Sequence, residues 1–388
     1  MESKRTLPGL DTSLSLHNLP WPTPWTALFG RAGDLHVEIG FGRGHFLLDL
    51  ARRRPTANIV GVEISNRSLS AAERDARRYG LSNVRLVHAT GQSALAHLFD
   101  EASIAALYVH FPDPWFKTRH AHRRLLAPPT IALIASRLAP GGALYAATDV
   151  AAYARDIDRA LGAAEGLVNA VPGPDRWRSE RPDGVPTKYE ALAVAAGRPC
   201  AYFHYTRTAA PVPPRPVLSE RSMPHVALCS STSLPAAAAA FAPHEVAAAG
   251  CRIHPLDVYV GPHSLLIDTV VIEPTIEQRI AVLVHPRADG AWVVGLSTIG
   301  QPRATLGCHL AVAVVARWLL RVVADAEIAG DALSLDPAAR ALLFRDDPAM
   351  DGALDGSLDG SLDEAPGGAT GAATADEPPS SDPGAATR

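Results

Sequence analysis

Cysteine is scarce in this chain: four residues in 388, Cys200, Cys229, Cys251 and Cys308, with no CxxC pair among them. Scattered singly, they offer neither the paired ligands of a zinc site nor a disulfide framework, and no metal is expected. A long apolar run is also missing. The best stretch, around residues 310–320, is interrupted by Arg317 and is too short to cross a bilayer. No apolar segment follows Met1-Glu2-Ser3-Lys4-Arg5, so no secretory signal is expected. These absences point away from a membrane partner and toward a reducing cytoplasm. Nor does one sign of charge dominate, with 36 basic against 40 acidic side chains. Their distribution is uneven. Residues 1–207 hold 25 Lys and Arg against 19 Asp and Glu, residues 208–330 hold 8 against 9, and residues 331–388 hold 3 against 12. A mildly basic first part suits a polyanionic partner; a solvated Arg-rich surface is the plainer explanation.

What is present has a clear order. Residues 1–19 read as a flexible leader, and the three prolines of Leu19-Pro20-Trp21-Pro22-Thr23-Pro24-Trp25 exclude regular helix there. The two tryptophans suit packing over the domain better than stacking on a base. Strand-like runs at 34–39, 58–64, 84–88, 104–110 and 143–148 alternate with helical runs, the pattern of a parallel α/β sheet. Residues 199–206 read as a late strand closing that sheet, which spans 20–207. Residues 208–216 are proline-rich, a stiff linker. Beyond it, strands at 265–273, 280–285 and 291–296 and an apolar helix at 305–323 predict a smaller α+β domain over 217–350. Ala288-Asp289-Gly290 reads as its hairpin turn. From Asp351 onward, repeated Leu-Asp-Gly steps and then Gly, Ala, Pro and Ser make an acidic tail too poor in apolar surface to fold, hence disordered.

Two stretches carry chemistry. Gly40, Gly42 and Gly44 follow the first strand and open a helix, a turn that lets a ligand approach the backbone. Glu63 ends the next strand, where a carboxylate pairs with ribose hydroxyls. Together they predict a nucleoside cofactor, with NAD and S-adenosylmethionine both open. Glu38, directly before the turn, would repel a pyrophosphate and tolerate a sulfonium cofactor with an amino-acid tail; the plainer alternative is a bond to its own turn. The second stretch runs from Phe111 to Leu125. Pro112 and Pro114 hold Asp113 on a stiff corner at a strand's end, the edge where open α/β sheets bind ligands. Lys117, Arg119, Arg123 and Arg124 are candidate phosphate contacts, against a solvated helix face. Trp115 either stacks on a base or wedges the loop. His110, His120 and His122 read as satisfied or solvated, not as metal ligands.

These residues resemble the bacterial tRNA (guanine-N7-)-methyltransferase family. The similarity rests on EIGFGRG at 38–44, GVEI at 61–64, FPDPWFK at 111–117 with HAHRRL at 120–125, Thr148-Asp149, and TKYE at 187–190, and it covers about residues 20–207. The resemblance implies a Rossmann-like class I methyltransferase sheet and transfer of a methyl group from S-adenosylmethionine to N7 of guanine 46 in the tRNA variable loop. Carried over by position, Glu38, Gly40, Gly42, Gly44, Glu63, Thr90 and Asp113 bind the cofactor, with Glu63 on the ribose and Asp113 also the catalytic acid at the cofactor–substrate junction. Lys117, Asp149, Thr187, Lys188, Tyr189 and Glu190 bind the substrate. One position departs: Thr90 stands where the family commonly has Asp or Asn near the adenine. The chemistry suits the reaction, since guanine N7 already exposes a lone pair and needs no base. A carboxylate, Asp113 or Asp149, would stabilise the positive charge that develops on the ring. A methyltransferase for another RNA or substrate keeps the first half of this reading, and a non-catalytic tRNA-binding protein keeps only the basic contacts. A nicotinamide oxidoreductase leaves Glu38, the PDPW loop and TKYE unexplained. Residues 217–330 show no catalytic spacing, so a binding role or a stabilising appendage is expected there.

Overall fold

The β-branched runs become strands because they can be buried on both faces. All five side chains of β2 (Leu35–Ile39) are buried, as are Ile59, Val60 and Val62 of β3 (Asn58–Glu63). With β1 (Leu14–Ser15), β4 (Val84–His88), β5 (Ile104–His110), β6 (Leu138–Thr148), β7 (Leu167–Asn169) and β8 (Ala201–Arg207) they form one sheet in the order β1-β4-β3-β2-β5-β6-β8-β7. The first six strands in that order run parallel, β8 runs antiparallel to β6, and β7, antiparallel to β8, returns to the common direction. The computed structural model describes residues 14–171, 176–180, 186–218 and 220–344. The acidic tail from Asp351, and the first 13 residues of the leader, lie outside the described residues.

The connectivity decides where a ligand fits. The chain steps outward from β2 to β3 to β4, then returns past β2 to start β5. The crevice at the carboxyl ends of β2 and β5 is therefore the topological switch point. Ile39 pairs with Val62 on one side and Val109 on the other, so the glycine turn and the Phe111 loop leave the sheet side by side. This is a Rossmann-like α/β sheet. Helix His45–Arg53 covers one face with Phe46, Leu47, Leu48, Leu50 and Ala51, the spacing expected of its sequence.

Two expectations need correction. The leader is not loose at its end: Leu14 and Ser15 pair with Val87 and His88, and Leu14, Leu16 and Leu19 are buried, because an apolar LxLxxL run has an open strand edge to cover. The second concerns how the stiff segment 208–216 is placed, for it lies against the first domain. Val212 packs on the first core, and Arg207 Nη1 donates to the Ala210 carbonyl at 2.7 Å.

Beyond the linker lies a second, antiparallel sheet, α+β in kind. Its strands are β9 (His225–Cys229), β10 (Val246–Ala248), β11 (Cys251–Val260), β12 (Leu265–Ile272), β13 (Glu277–Pro286), β14 (Trp292–Leu296) and β15 (Glu327–Asp331), in the order β10-β11-β12-β13-β14-β9-β15. Helix Leu306–Val322, apolar nearly throughout, fills its core. The expected hairpin turn is there, closed by Arg287 N–H to the Ala291 carbonyl at 2.7 Å with Gly290 at φ 85°. Four strands were not legible. β11 carries Pro255 where the register shifts, β15 is a polar edge strand, and β9 and β10 are short.

The two sheets meet at a sealed seam. Arg303, with no exposed side-chain surface, lies 4.0 Å over the Trp21 ring, donates from Nη1 to the Leu19 and His17 carbonyls at 2.6 and 3.1 Å, and sits 2.7 Å from Glu220 Oε1. Trp21 stacks on buried His97 at 4.0 Å on its own side. Trp25 donates to the Leu98 carbonyl at 2.9 Å and stacks on Phe99. Both tryptophans are packing residues.

Candidate active site

The glycine turn has the backbone its sequence predicts. Gly40, Gly42 and Gly44 stand at φ 71°, 54° and 76°, and a Cβ placed on Gly40 or Gly42 would meet no atom within 4 Å. The turn is thus both left-handed and open above. At its root Glu38 is 2% exposed. Its Oε1 lies 3.5 Å from His110 Nδ1, whereas Oε2 is buried with no hydrogen-bond partner among the described residues. Burial pushes this carboxyl above its ordinary range, the charge of Glu63 adds to the shift, and His110 opposes it. Glu38 does not satisfy its own turn; Glu63 does that. Glu63 Oε2 accepts from Gly42 N–H at 2.9 Å, and Oε1 accepts from Ile64 and Ser65 N–H at 2.9 and 3.0 Å. A carboxylate has room for further donors, so a ribose hydroxyl remains within its capacity.

A buried carboxylate oxygen with no partner among the described residues, beneath an open glycine turn, is an acceptor that the ammonium of an amino-acid tail can fill. The residues present fit S-adenosylmethionine on that ground, and the same carboxylate disfavours a pyrophosphate there. Thr90 is turned elsewhere. Its hydroxyl caps helix Gly91–His97, accepting from Ser93 N–H at 3.1 Å and donating to Ser93 Oγ at 2.8 Å. Its side chain serves the helix.

The loop after β5 is strained at both ends. Phe111 and Trp115 stand at φ 52° and 43°, conformations that bulky residues adopt only when their surroundings enforce them. Asp113 is exposed between them. Lys117 and Arg119 are exposed, and Arg123 lies 5.1 Å over the Trp115 ring. Trp115 therefore packs within the loop. Arg124 corrects its phosphate assignment. Its Nε donates to the Pro114 carbonyl at 2.7 Å, Nη2 to the Trp115 carbonyl at 3.3 Å, and Nη1 to Asp156 Oδ2 at 2.8 Å. Its donors face the protein because three acceptors converge there. Behind this loop a cavity of about 610 Å³ opens between helices Pro128–Arg137 and Ala151–Gly162, lined by Arg124, Tyr153 and Asp156. It lies apart from the glycine turn.

The remaining motif residues divide. Asp149, just past β6, is held by Arg198 Nε at 2.8 Å. Thr148 pairs with Ala201, so the segment entering β8 reaches the same sheet edge. Thr187 and Glu190 form a capping box on helix Lys188–Ala195: Glu190 N–H donates to Thr187 Oγ1 at 3.1 Å, and Thr187 N–H to Glu190 Oε2 at 3.3 Å. Glu190 is 4% exposed and its Oε1 accepts from the Tyr202 hydroxyl at 2.8 Å. Burial, then the Glu190 bond, pushes the Tyr202 phenol up, which keeps it a donor. Thr187 and Glu190 thus hold the helix, and Lys188 and Tyr189 (59% exposed) face outward from it. The Thr-x-x-Glu spacing of a capping box was the signal that would have separated them. His110 and Arg198 had no such signal; their partners are 72 and 49 positions away. Among the described residues no group of three His, Cys, Asp or Glu side chains is placed to hold a metal, and no helix is long and apolar enough to cross a membrane.

Residues 32–202 match the family model described as "Putative methyltransferase". Among curated relatives, the tRNA (guanine-N(7)-)-methyltransferase of Cupriavidus pinatubonensis is 35% identical over 50% of this chain and 76% of its own length. That of Nocardia farcinica is 41% identical over 47% and 70%. That of Geobacter metallireducens is 34% identical over 50% and 92%. The second sheet lies beyond the end of the family match.

Proposed function

The chain belongs to the tRNA (guanine-N7-)-methyltransferase family, and from that premise we propose that it methylates N7 of guanine 46 in the variable loop of cytoplasmic tRNA. It is a methyltransferase, and its cofactor is S-adenosylmethionine. The observation that carries the finer reading is one of position. Glu38, whose Oε2 has no partner among the described residues, the open glycine turn and the Asp113 loop all lie at the same edge of the sheet, at its switch point. Exposed Lys117, Arg119, Lys188 and Tyr189 lie on segments that reach that edge.

Bound S-adenosylmethionine supplies an electrophilic methyl group on a sulfonium. Glu38 and the Gly40–Gly42 backbone hold the amino-acid end, Glu63 takes the ribose, and the backbone at Thr90 meets the adenine edge. Asp113 accepts from the donor edge of guanine and fixes N7 in line with the methyl group, so proximity supplies most of the acceleration. Its negative charge opposes the positive charge that grows on the ring. Asp149, held by Arg198, lies at the next strand end and can share that task. Lys117, Arg119 and Lys188 contact phosphates, and Tyr189 offers a face for a base. Thr187 and Glu190 act through the helix they cap.

Methyl transfer from labelled S-adenosylmethionine into unmodified tRNA transcripts tests this directly, with guanine or adenine at position 46. Label is expected only in the guanine transcript, as N7-methylguanosine. Label in both transcripts would move the target elsewhere in the tRNA. Cofactor binding without transfer to either would leave the methyltransferase and remove the proposed target.

A further inference from the structure

We propose that Arg124 is a positioning residue that aims Asp113, and that it does so by clamping the two carbonyls after it. A guanidinium presents a planar fork of donors. Here all three nitrogens are used inward, on Pro114 O, Trp115 O and Asp156 Oδ2 at 2.7, 3.3 and 2.8 Å. Its plane also lies 5.2 Å over the ring of Tyr153, which is 1% exposed and whose hydroxyl accepts from Leu126 N–H at 3.2 Å. Burial pushes the Tyr153 phenol up to about 12, so it stays neutral and keeps that geometry at working pH.

The position of the clamp matters more than its strength. Pro114 directly follows Asp113, and Trp115 stands at φ 43°, a conformation that needs an outside restraint. Arg124 supplies that restraint at the 114–115 and 115–116 peptide units, the two that directly follow the Asp113–Pro114 corner. The residues between the ends of the clamp carry Lys117, Arg119 and Arg123. The fork therefore also closes the base of the cationic lobe, which lies between the Asp113 corner and Arg124 in the chain. Lysine, a point charge without a fork, cannot hold both carbonyls and Asp156 together. The inference rests on the proposed methyl transfer only for its kinetic test.

Arg124→Lys and Asp113→Asn, singly and together, are measured in the full chain for transfer into tRNA transcript. Arg124→Lys is expected to lower kcat by about ten- to a hundred-fold, the cost of misplacing a reacting group, while cofactor Kd changes by less than about two-fold. In the Asp113→Asn background the same change should add less than about two-fold, since residues acting as a unit are not additive. Asp156→Asn keeps both carbonyl bonds and should cost less than Arg124→Lys. A multiplied loss in the double variant would overturn the proposal, as would equal falls in kcat and cofactor affinity. Amide exchange over residues 115–119, read without substrate, is expected to quicken in Arg124→Lys; unchanged exchange would also overturn it. If the unaltered chain methylates no transcript, the functional reading fails while the exchange arm still decides the clamp.

Discussion

Two buried charges in this molecule are treated in opposite ways. At the seam between the sheets, Arg303 is stacked on Trp21, bonded to two carbonyls and set against Glu220. At the carboxyl edge of the first sheet, Glu38 is just as deeply buried and keeps one oxygen with no partner among the described residues. Burying a charge is costly unless it is paired. The seam meets that cost within the fold and is structure. The edge leaves it unmet, together with two bulky residues at positive φ and an open glycine turn. Unrelieved strain and a half-satisfied buried carboxyl gathered at one place are the features expected where a ligand binds.

The sharpest test of that contrast is at the edge. Asp113→Asn is expected to lower kcat by about a hundred- to a thousand-fold, the scale of losing one electrostatic stabiliser, with little change in cofactor affinity. Comparable losses in both would make Asp113 a binding residue. At the seam, Arg303→Met should lower the unfolding free energy by about 3 kcal/mol, the range for breaking a buried pair, as read by urea denaturation. Cofactor Kd of the folded protein should not move; a parallel loss would break the separation between the two regions.

Glu38→Gln should do the reverse of Arg303→Met. Cofactor affinity is expected to fall about ten-fold, the scale of one charge-assisted bond, while the ligand-free protein gains thermal stability. The sign follows from the raised carboxyl. Its contribution is fully present below the ordinary carboxylate value near 4.5 and is lost as pH rises through the higher folded-state value. The gain from glutamine should therefore vanish below about 4.5, grow as pH rises from there toward the folded-state value, and level off above it; a pH-independent gain would show that charge is not its cause. The smallest effect is expected from Thr187→Ala, about 1 kcal/mol for a lost helix cap, visible as faster exchange in helix Lys188–Ala195 with tRNA KM rising only through Lys188 and Tyr189.

Much of the edge was legible because its chemistry is local. Three glycines after a strand, an acid ending the next strand and two prolines around Asp113 fix backbone geometry within a few residues, whatever the rest of the chain does. The alternation of β2 to β6 with helices was readable for the same reason. The sequence by itself determined the parallel sheet, the left-handed glycine turn and the place of Asp113 at a strand's end. Only the tertiary structure decided that Glu38 meets His110 through one oxygen while the other has no partner among the described residues, that Arg124 faces inward, that Asp149 meets Arg198 and that Arg303 closes on Trp21. Each of these depends on which distant segments come together, and the pairing of a buried charge is set by neighbours that chain order does not announce. Arg303 and the Leu19 carbonyl it grips are 284 positions apart, and no local pattern at either end records that they meet.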